Sequence, residues 1–287
     1  MPSRQDYSTG LSRRPRRLSD QQTASRMLDA AVAEVNRDGL TVSLDHISFE
    51  DIIREADVSR SSAYRRWPHK DLFLSDLIKE LATNAAPQLA ADELALIRQI
   101  VAEHIGWLEE PGLRHRLMMD LIRQLALLDF QTLYASPGWR TYLALHATFV
   151  SLADGRLRDD VQHILASSER DRMSRVAQAW QRLAALFGYR LRPGADSFAS
   201  LVTLLSATMR GLVIMALSMP EIAEQRTTTN PFDGERASEW SLAATGFASI
   251  ASAFLEPDPA IEWDEERLAV VRAELQALRL EPQAEPT

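Results

Sequence analysis

Residues 48–73, SFEDIIREADVSRSSAYRRWPHKDLF, constrain the fold of this chain more than any other stretch, because they set two short helical patterns around a tight break. Ser48 stands where an N-cap belongs. Asp51 follows three residues on and Ile52-Ile53 opens an apolar face, the acidic form of a capping box. The first predicted helix ends near Glu55-Ala56. Asp57-Val58-Ser59 then makes the turn: Asp tolerates left-handed backbone better than most residues, and Ser59 caps the next helix. The second predicted helix runs from about Arg60 to Trp67 with Ser, Tyr and Arg on its outer face, and a third pattern starts after Pro68. Two short helices joined by a turn of a few residues form a helix-turn-helix. Its second helix carries side chains suited to a nucleic-acid groove.

Charge is distributed unevenly along the chain. The 287 residues carry a net charge of −8, yet residues 1–72 hold 12 Lys+Arg against 11 Asp+Glu, leaving 20 against 29 in the rest. The acidity belongs to the body. Arg13, Arg14, Arg16 and Arg17 form a basic arm, and Arg60, Arg65, Arg66 and Lys70 form a second cluster. A small DNA-contacting module on an acidic body has this asymmetry. Alone, such a cluster is more often a solvated charged face; the caps, turn and spacing favour DNA. With no cysteine, disulfides, thiolate metal sites and cysteine nucleophiles are excluded. No signal peptide is expected at the start and no apolar run is expected to reach membrane-spanning length, so the expectation is a cytoplasmic protein with no membrane partner.

The remainder reads as helices punctuated by Gly and Pro. Residues 1–18 are expected to be a disordered basic arm. A helix starts at Ser19, with Leu28, Ala31, Val32 and Val35 on its apolar face, and ends at Gly39. Residues 40–47 connect it to the two short helices, with Leu44 and Ile47 partly buried. After Pro68, a helix with Leu72, Phe73, Leu77, Ile78 and Leu81 runs towards Pro87. Further helices are predicted over 91–109, 113–130, from Pro137 to about Gly155, and over 157–187, 195–219 and 236–255. TTTNPFDGE (227–235) reads as a turn-rich linker. A last helix, about 261–280, spaces Leu268, Val271, Leu275 and Leu278 as a packing seam. No alternating strand pattern is visible. The predicted class is all-α: a three-helix helix-turn-helix domain over 19–85, a larger helical domain over 86–255, and a C-terminal helix and tail over 256–287.

Residues 19–85 resemble the DNA-binding module of the tetracycline-repressor (TetR) family of transcriptional regulators. That module has a first helix ending in Gly, then Thr-x-x-x-Ile-Ala-x-x-Ala-Gly-Val-Ser, then a short helix with Tyr, an aromatic residue and a Lys. Here Arg26 to Gly39 is similar to the first helix. Ser48 takes the Thr place, Ile52-Ile53 the Ile-Ala, and Ala56-Asp57-Val58-Ser59 the Ala-Gly-Val-Ser. Tyr64, Arg66, Trp67 and Lys70 take the tyrosine, basic, aromatic and lysine places. Asp57 departs from the turn glycine, Ile53 from the alanine and Ala63 from a larger residue, and the link from Gly39 to Ile52 is longer by about one helical turn.

Position suggests the role of each residue. Arg60, Ser61 and Ser62 open the second helix, the end that enters a major groove, where Arg60 can reach guanine O6/N7 in a bidentate manner. Ser59, Arg65 and His69 flank it within reach of a base edge or phosphate. The resemblance assigns Tyr64, Arg66 and Lys70 to phosphates, and Ser48 can add its hydroxyl while capping. Ile52, Ile53, Val58, Trp67, Leu72 and Phe73 are expected in the core. The arm reads either as a solubilising tail or as an extension along the minor groove.

The resemblance also implies a homodimer formed through the helices near 195–219 and 236–255, a near-palindromic double-stranded operator, no cofactor and an unidentified small-molecule effector. Repression is the family's common outcome. Aromatic and Met residues of the central segment that are candidates for an effector pocket are Trp107, Met118, Met119, Trp139, Tyr142, His146, Phe149 and Trp180, with His104 as a further polar anchor; at helical spacing such side chains are more often simply core. Catalysis by His115 and Asp120, five residues apart, and metal binding by Asp159, Asp160 and His163 are minor alternatives. An enzyme is not expected. A helical interaction protein that carries the module unused is the competing non-enzyme reading.

Overall fold

Ser19 opens the first helix with a reciprocal cap. The Gln22 amide donates to Ser19 Oγ at 3.1 Å and the Ser19 amide donates to Gln22 Oε1 at 3.0 Å, satisfying two donors that a helix start leaves bare. The computed structural model describes residues 19–38, 47–84, 91–232 and 237–277. The Arg arm, Gly39, Leu44 and Leu278 therefore lie outside the described residues. In α1 (Asp20–Asp38), Thr23, Met27, Ala31 and Val35 are buried at four-residue spacing, and the expected Leu28 and Val32 flank them half-buried.

Three further helices complete the N-terminal unit: α2 (Phe49–Glu55), α3 (Arg60–Arg66) and α4 (Lys70–Asn84). Their shared core holds Ile47, Ile52, Ile53, Val58, Ala63, Trp67, Phe73 and Leu77. Leu72 corrects the expectation, being 49% exposed. It sits one position ahead of the stripe set by Phe73, Leu77 and Leu81, which turns it to solvent. Phe49, which the pattern did not single out, is the hub. Its ring stands edge-on to Tyr64 at 5.4 Å and to Trp67 at 6.4 Å, and tilted against Phe73 at 5.1 Å.

This core continues beyond the N-terminal unit into α7 (Pro137–Ser151) and the start of α8 (Arg156–Leu186) through Leu145, Val161 and Leu165. Two polar links tie the same junction: Lys79 Nζ to Asp160 Oδ2 at 2.6 Å, and Thr141 Oγ1 to Asn36 Oδ1 at 3.2 Å. A second core is built from α5 (Ala91–Glu103), α6 (Pro111–Ala135), the end of α8, α9 (Phe198–Ser218), α11 (Leu242–Phe254) and α12 (Glu265–Ala277). At 31 residues, α8 is about 46 Å long, enough to belong to both cores.

The fold is all-α, with twelve α-helices among the described residues, including the short α10 (Glu221–Glu224). Two small ribbons depart from the expectation of no strands. β1 (Tyr189–Leu191) pairs antiparallel with β4 (Leu255–Pro257), and β2 (Thr227–Thr229) with β3 (Ser238–Trp240). Three residues per strand leave no alternation to read. The helix expected from 236 consequently starts at Leu242, where Ser241 Oγ accepts from the Ala244 amide. The seam expected of the last helix forms, with Leu268, Val271 and Leu275 buried and Arg98 Nε donating to the Leu275 carbonyl at 2.8 Å.

The apolar length of α9 was underestimated from the sequence. By length and composition this helix suffices to cross a membrane. In the fold one face, Leu201, Val202, Leu205, Met209, Val213 and Ala216, is core. The opposite face exposes Leu204, Ile214 and Met215. Gly211 lies on that outer face, where an added Cβ would meet nothing within 4 Å.

Candidate nucleic-acid interface and internal cavity

Two serine caps and one left-handed residue place α3. Ser48 accepts from the Asp51 amide at 3.3 Å and Ser59 from the Ser62 amide at 3.2 Å. Between them Asp57 adopts φ 50°, the conformation that the turn requires and that glycine adopts most easily. Trp67 ends α3 and is fully buried; its indole N–H donates to Asp76 Oδ2 at 2.9 Å. The helix is thereby pinned at both ends with its outer side free.

Arg60, Ser61, Tyr64 and Arg65 are exposed along that outer side. Ser62 is turned inward and only 7% exposed. It receives a hydrogen bond from Ser59 Oγ at 2.9 Å, so the expected groove contact at Ser62 is replaced by a packing role. Ser59 and His69 are exposed, and Ser48 and Lys70 are half-buried. Every exposed arginine of α3 has a carboxylate partner within the unit. Arg60 donates to Glu50 at 2.8 Å, Arg65 to Asp20 at 2.5 Å and Arg66 to Asp76 at 3.0 Å. Tyr64 Oη also donates to Glu50, at 2.7 Å. Hydrogen bonds from Arg60 and Tyr64 hold the Glu50 carboxyl below its ordinary range, and that same carboxylate raises the Arg60 and Tyr64 values. The arginines are thus oriented by exposed ion pairs, which are weak and salt-sensitive and can be exchanged for phosphates. Glu50, Asp20 and Asp76 were not foreseen; nothing in their spacing distinguishes them from ordinary surface acids.

In the body, a cavity of about 240 Å³ lies between α5, α6, α8, α9 and α11. Three of the eight pocket candidates, Met118, Trp139 and Trp180, line it. The other five serve packing instead. Trp107 lies against His104, with ring centroids 4.2 Å apart, and under the Arg116 guanidinium at 5.0 Å. His104 Nδ1 is 3.0 Å from the Ile100 carbonyl. Met119 is buried beside Ser252, and Phe149 belongs to the N-terminal core beneath Arg158. Tyr142 stacks on Trp139 at 4.7 Å, lies tilted against His146 at 4.2 Å, and joins a charged network beside the cavity. There Tyr142 Oη donates to Glu169, which also accepts from Arg210 at 2.5 Å and Arg172 at 3.1 Å. Burial opposes the ionised form of Glu169, but these donors hold it down to about 2.

Two acids on the cavity wall escaped the sequence reading, Glu93 on α5 and Asp129 on α6. Burial, reinforced by the Asp129 charge, pushes Glu93 up to about 7. Burial pushes Asp129 up to about 6 against the pull of Arg172. The minor chemical alternatives gain no constellation. Asp120 accepts from Arg123 at 2.6 Å and Gln124 at 2.8 Å, while His115 Nδ1 lies 3.3 Å from the Tyr189 hydroxyl. Asp160 is taken by Lys79, and no group of three or more metal-ligating side chains forms among the described residues.

No protein-family profile and no curated protein matches the chain. Among solved structures it is similar to TylP, a TetR regulator from Streptomyces fradiae. The identity is 16% and the TM-score 0.40, over 92% of this chain and 94% of that one. It is also similar to SmeT, the repressor of the Stenotrophomonas maltophilia multidrug efflux pump SmeDEF. There the identity is 17% and the TM-score 0.37, over 86% of this chain and 97% of that one.

Proposed function

We propose that this chain is a DNA-binding transcriptional regulator of the TetR type, acting as a homodimer on a near-palindromic operator. The observation that carries the reading is α3. It is a short helix pinned by Ser59 and Trp67 that presents Arg60, Ser61, Tyr64 and Arg65 on one exposed face. In this reading Arg60 and Ser61 face base edges, and Tyr64, Arg66, Lys70 and Ser48 face phosphates. Ser59, Arg65 and His69 lie close enough to join either group. The unit would be the DNA-binding domain, 19–85, on an effector-binding and dimerisation domain, 86–255.

The outer face of α9 supports the dimer. An apolar helix face with Gly211 at its centre, and with no neighbour demanding that glycine, is costly in a monomer. A second copy packed there, with α11 alongside, gives both features a use. The cavity supports effector control. Its wall includes the C-terminal half of α8, whose N-terminal turns pack on α4 through Lys79–Asp160, so an occupant can bias the DNA-binding units through one continuous helix.

The test is selection of duplexes from a random pool by the purified full chain. Enrichment of one two-fold-symmetric motif, with half-sites about 34–36 Å apart or a multiple, is the expected result. Absence of any enriched motif would favour the competing reading, a helical interaction protein.

A further inference from the structure

The cavity wall is apolar and aromatic except for a few ionisable groups, and these are not balanced. The two cations, Arg172 and Arg210, are both committed to Glu169. The two anions, Glu93 and Asp129, have no hydrogen bond or ion pair among the described residues, and Asp129 feels only the longer-range pull of Arg172. They sit on adjacent helices, α5 and α6, and Trp139, Trp180, Phe187 and Phe247 supply ring surface to the same cavity. Unpaired carboxylates in an apolar wall are a cost that folding alone does not explain. A further observation points the same way. Trp139 is 2% exposed, and its indole N–H has no acceptor among the described residues; nor does the buried Nε of Arg172. The wall thus offers two anions and two unmet donors.

We propose that the cavity binds an organic cation, an apolar body bearing a protonated or quaternary amine and a hydrogen-bond acceptor such as an ester or amide oxygen. The cationic head lies against Glu93 and Asp129, and the body against the indole rings, whose faces also favour a cation. The acceptor oxygen meets the Trp139 and Arg172 donors. A neutral or anionic occupant leaves the two carboxylates uncompensated. The raised proton affinities of Glu93 and Asp129 agree with this, since burial leaves each holding its proton more tightly than a solvated carboxyl until a cation stands beside it. Binding therefore tightens as pH rises from about 5.5 to 8 and the two acids ionise in the presence of Arg172 on α8 and Arg210 on α9. This assignment rests on the effector-cavity reading of the proposed function.

The probe is benzoylcholine, titrated calorimetrically into the full chain beside its uncharged isostere 3,3-dimethylbutyl benzoate and the anion hippurate. Benzoylcholine is expected to bind about tenfold or more tighter than the isostere, with hippurate weakest. In Glu93→Gln/Asp129→Asn the preference for the cation is expected to vanish while the isostere binds as before, which also shows that the variant's cavity is intact. Equal or tighter binding of the isostere or hippurate overturns the proposal. So does unchanged benzoylcholine binding by the variant, or no binding at all by the parent chain. Cation-selective binding that leaves DNA affinity untouched upholds the cation site while defeating its regulatory role.

Discussion

Arg60 and Glu50 are joined across the helix-turn-helix: Arg60 Nε and Nη2 both reach Glu50 Oε2 at 2.8 Å, from the start of α3 to the start of α2. The residue best placed to read a base is held by a carboxylate that DNA must displace. Glu50 also accepts from Tyr64, so one acid orients two of the proposed contacts. Glu50→Gln is expected to raise affinity for all duplexes severalfold, because a negative charge leaves the phosphate-facing surface. Discrimination between operator and random DNA is expected to fall, because Arg60 loses its orientation. Competition titrations at two salt concentrations measure both effects.

The turn gives a second expectation. Asp57 holds φ 50°, a conformation that side chains branched at Cβ resist most. Asp57→Val should cost about 1–2 kcal/mol of stability in denaturant unfolding, whereas Asp57→Gly should be tolerated. Equal stability of the two variants would show that the turn relaxes without penalty.

Much of the N-terminal unit was legible because its determinants are local. Ser48, Ser59, Asp57 and the Ile52-Ile53 pair act within one or two helical turns, and each does in the structure what its position implies. The core role of Phe49 was missed because its partners, Tyr64, Trp67 and Phe73, lie on two other helices. Glu93 and Asp129 were invisible for the same reason: the wall that they share exists only once α5 and α6 pack. Ser62 looked like a groove residue because an α3 of only seven residues turns one of three neighbouring polar positions inward.

Stability should depend on pH through the same two acids. Glu93 rises from 4.5 to about 7 and Asp129 from 3.8 to about 6 on folding. The folded chain thus holds protons that the unfolded chain releases. Their stabilising contribution is present below the unfolded values and is lost as pH rises through about 6–7. Glu93→Gln should therefore raise the melting temperature at pH 8 by roughly 2–4 °C and leave it nearly unchanged at pH 4. An identical shift at both pH values would show that Glu93 keeps its ordinary proton affinity in the fold.

The outer face of α9 makes a testable dimer. Leu204→Glu puts a charge on that face, at an already exposed position. Sedimentation is expected to show the parent as a dimer and the variant as a monomer with unchanged helicity. A parent that sediments as a monomer at micromolar concentration would remove the proposed interface.

Gly188 sits at φ 70° against the Trp263 ring, where a Cβ would come within 2.7 Å of a ring carbon. The indole is also covered by the Arg114 guanidinium at 4.8 Å, in front of α12. Gly188→Ala should loosen α12 and cost about 1–3 kcal/mol through strain and overpacking. Protease cleavage near residues 258–264 should then accelerate, while DNA binding by α3 stays intact.

Whether α3 reads DNA is decided by titrating the selected duplex and its single-base variants against the parent chain, Arg60→Ala and Arg66→Ala across a salt series. Arg60→Ala is expected to flatten the preference at one base pair of each half-site, with a loss of about 1–3 kcal/mol there. Arg66→Ala should weaken every duplex alike and lower the salt slope by about 1. Unchanged affinity, preference and salt slope in both variants would contradict DNA reading by α3.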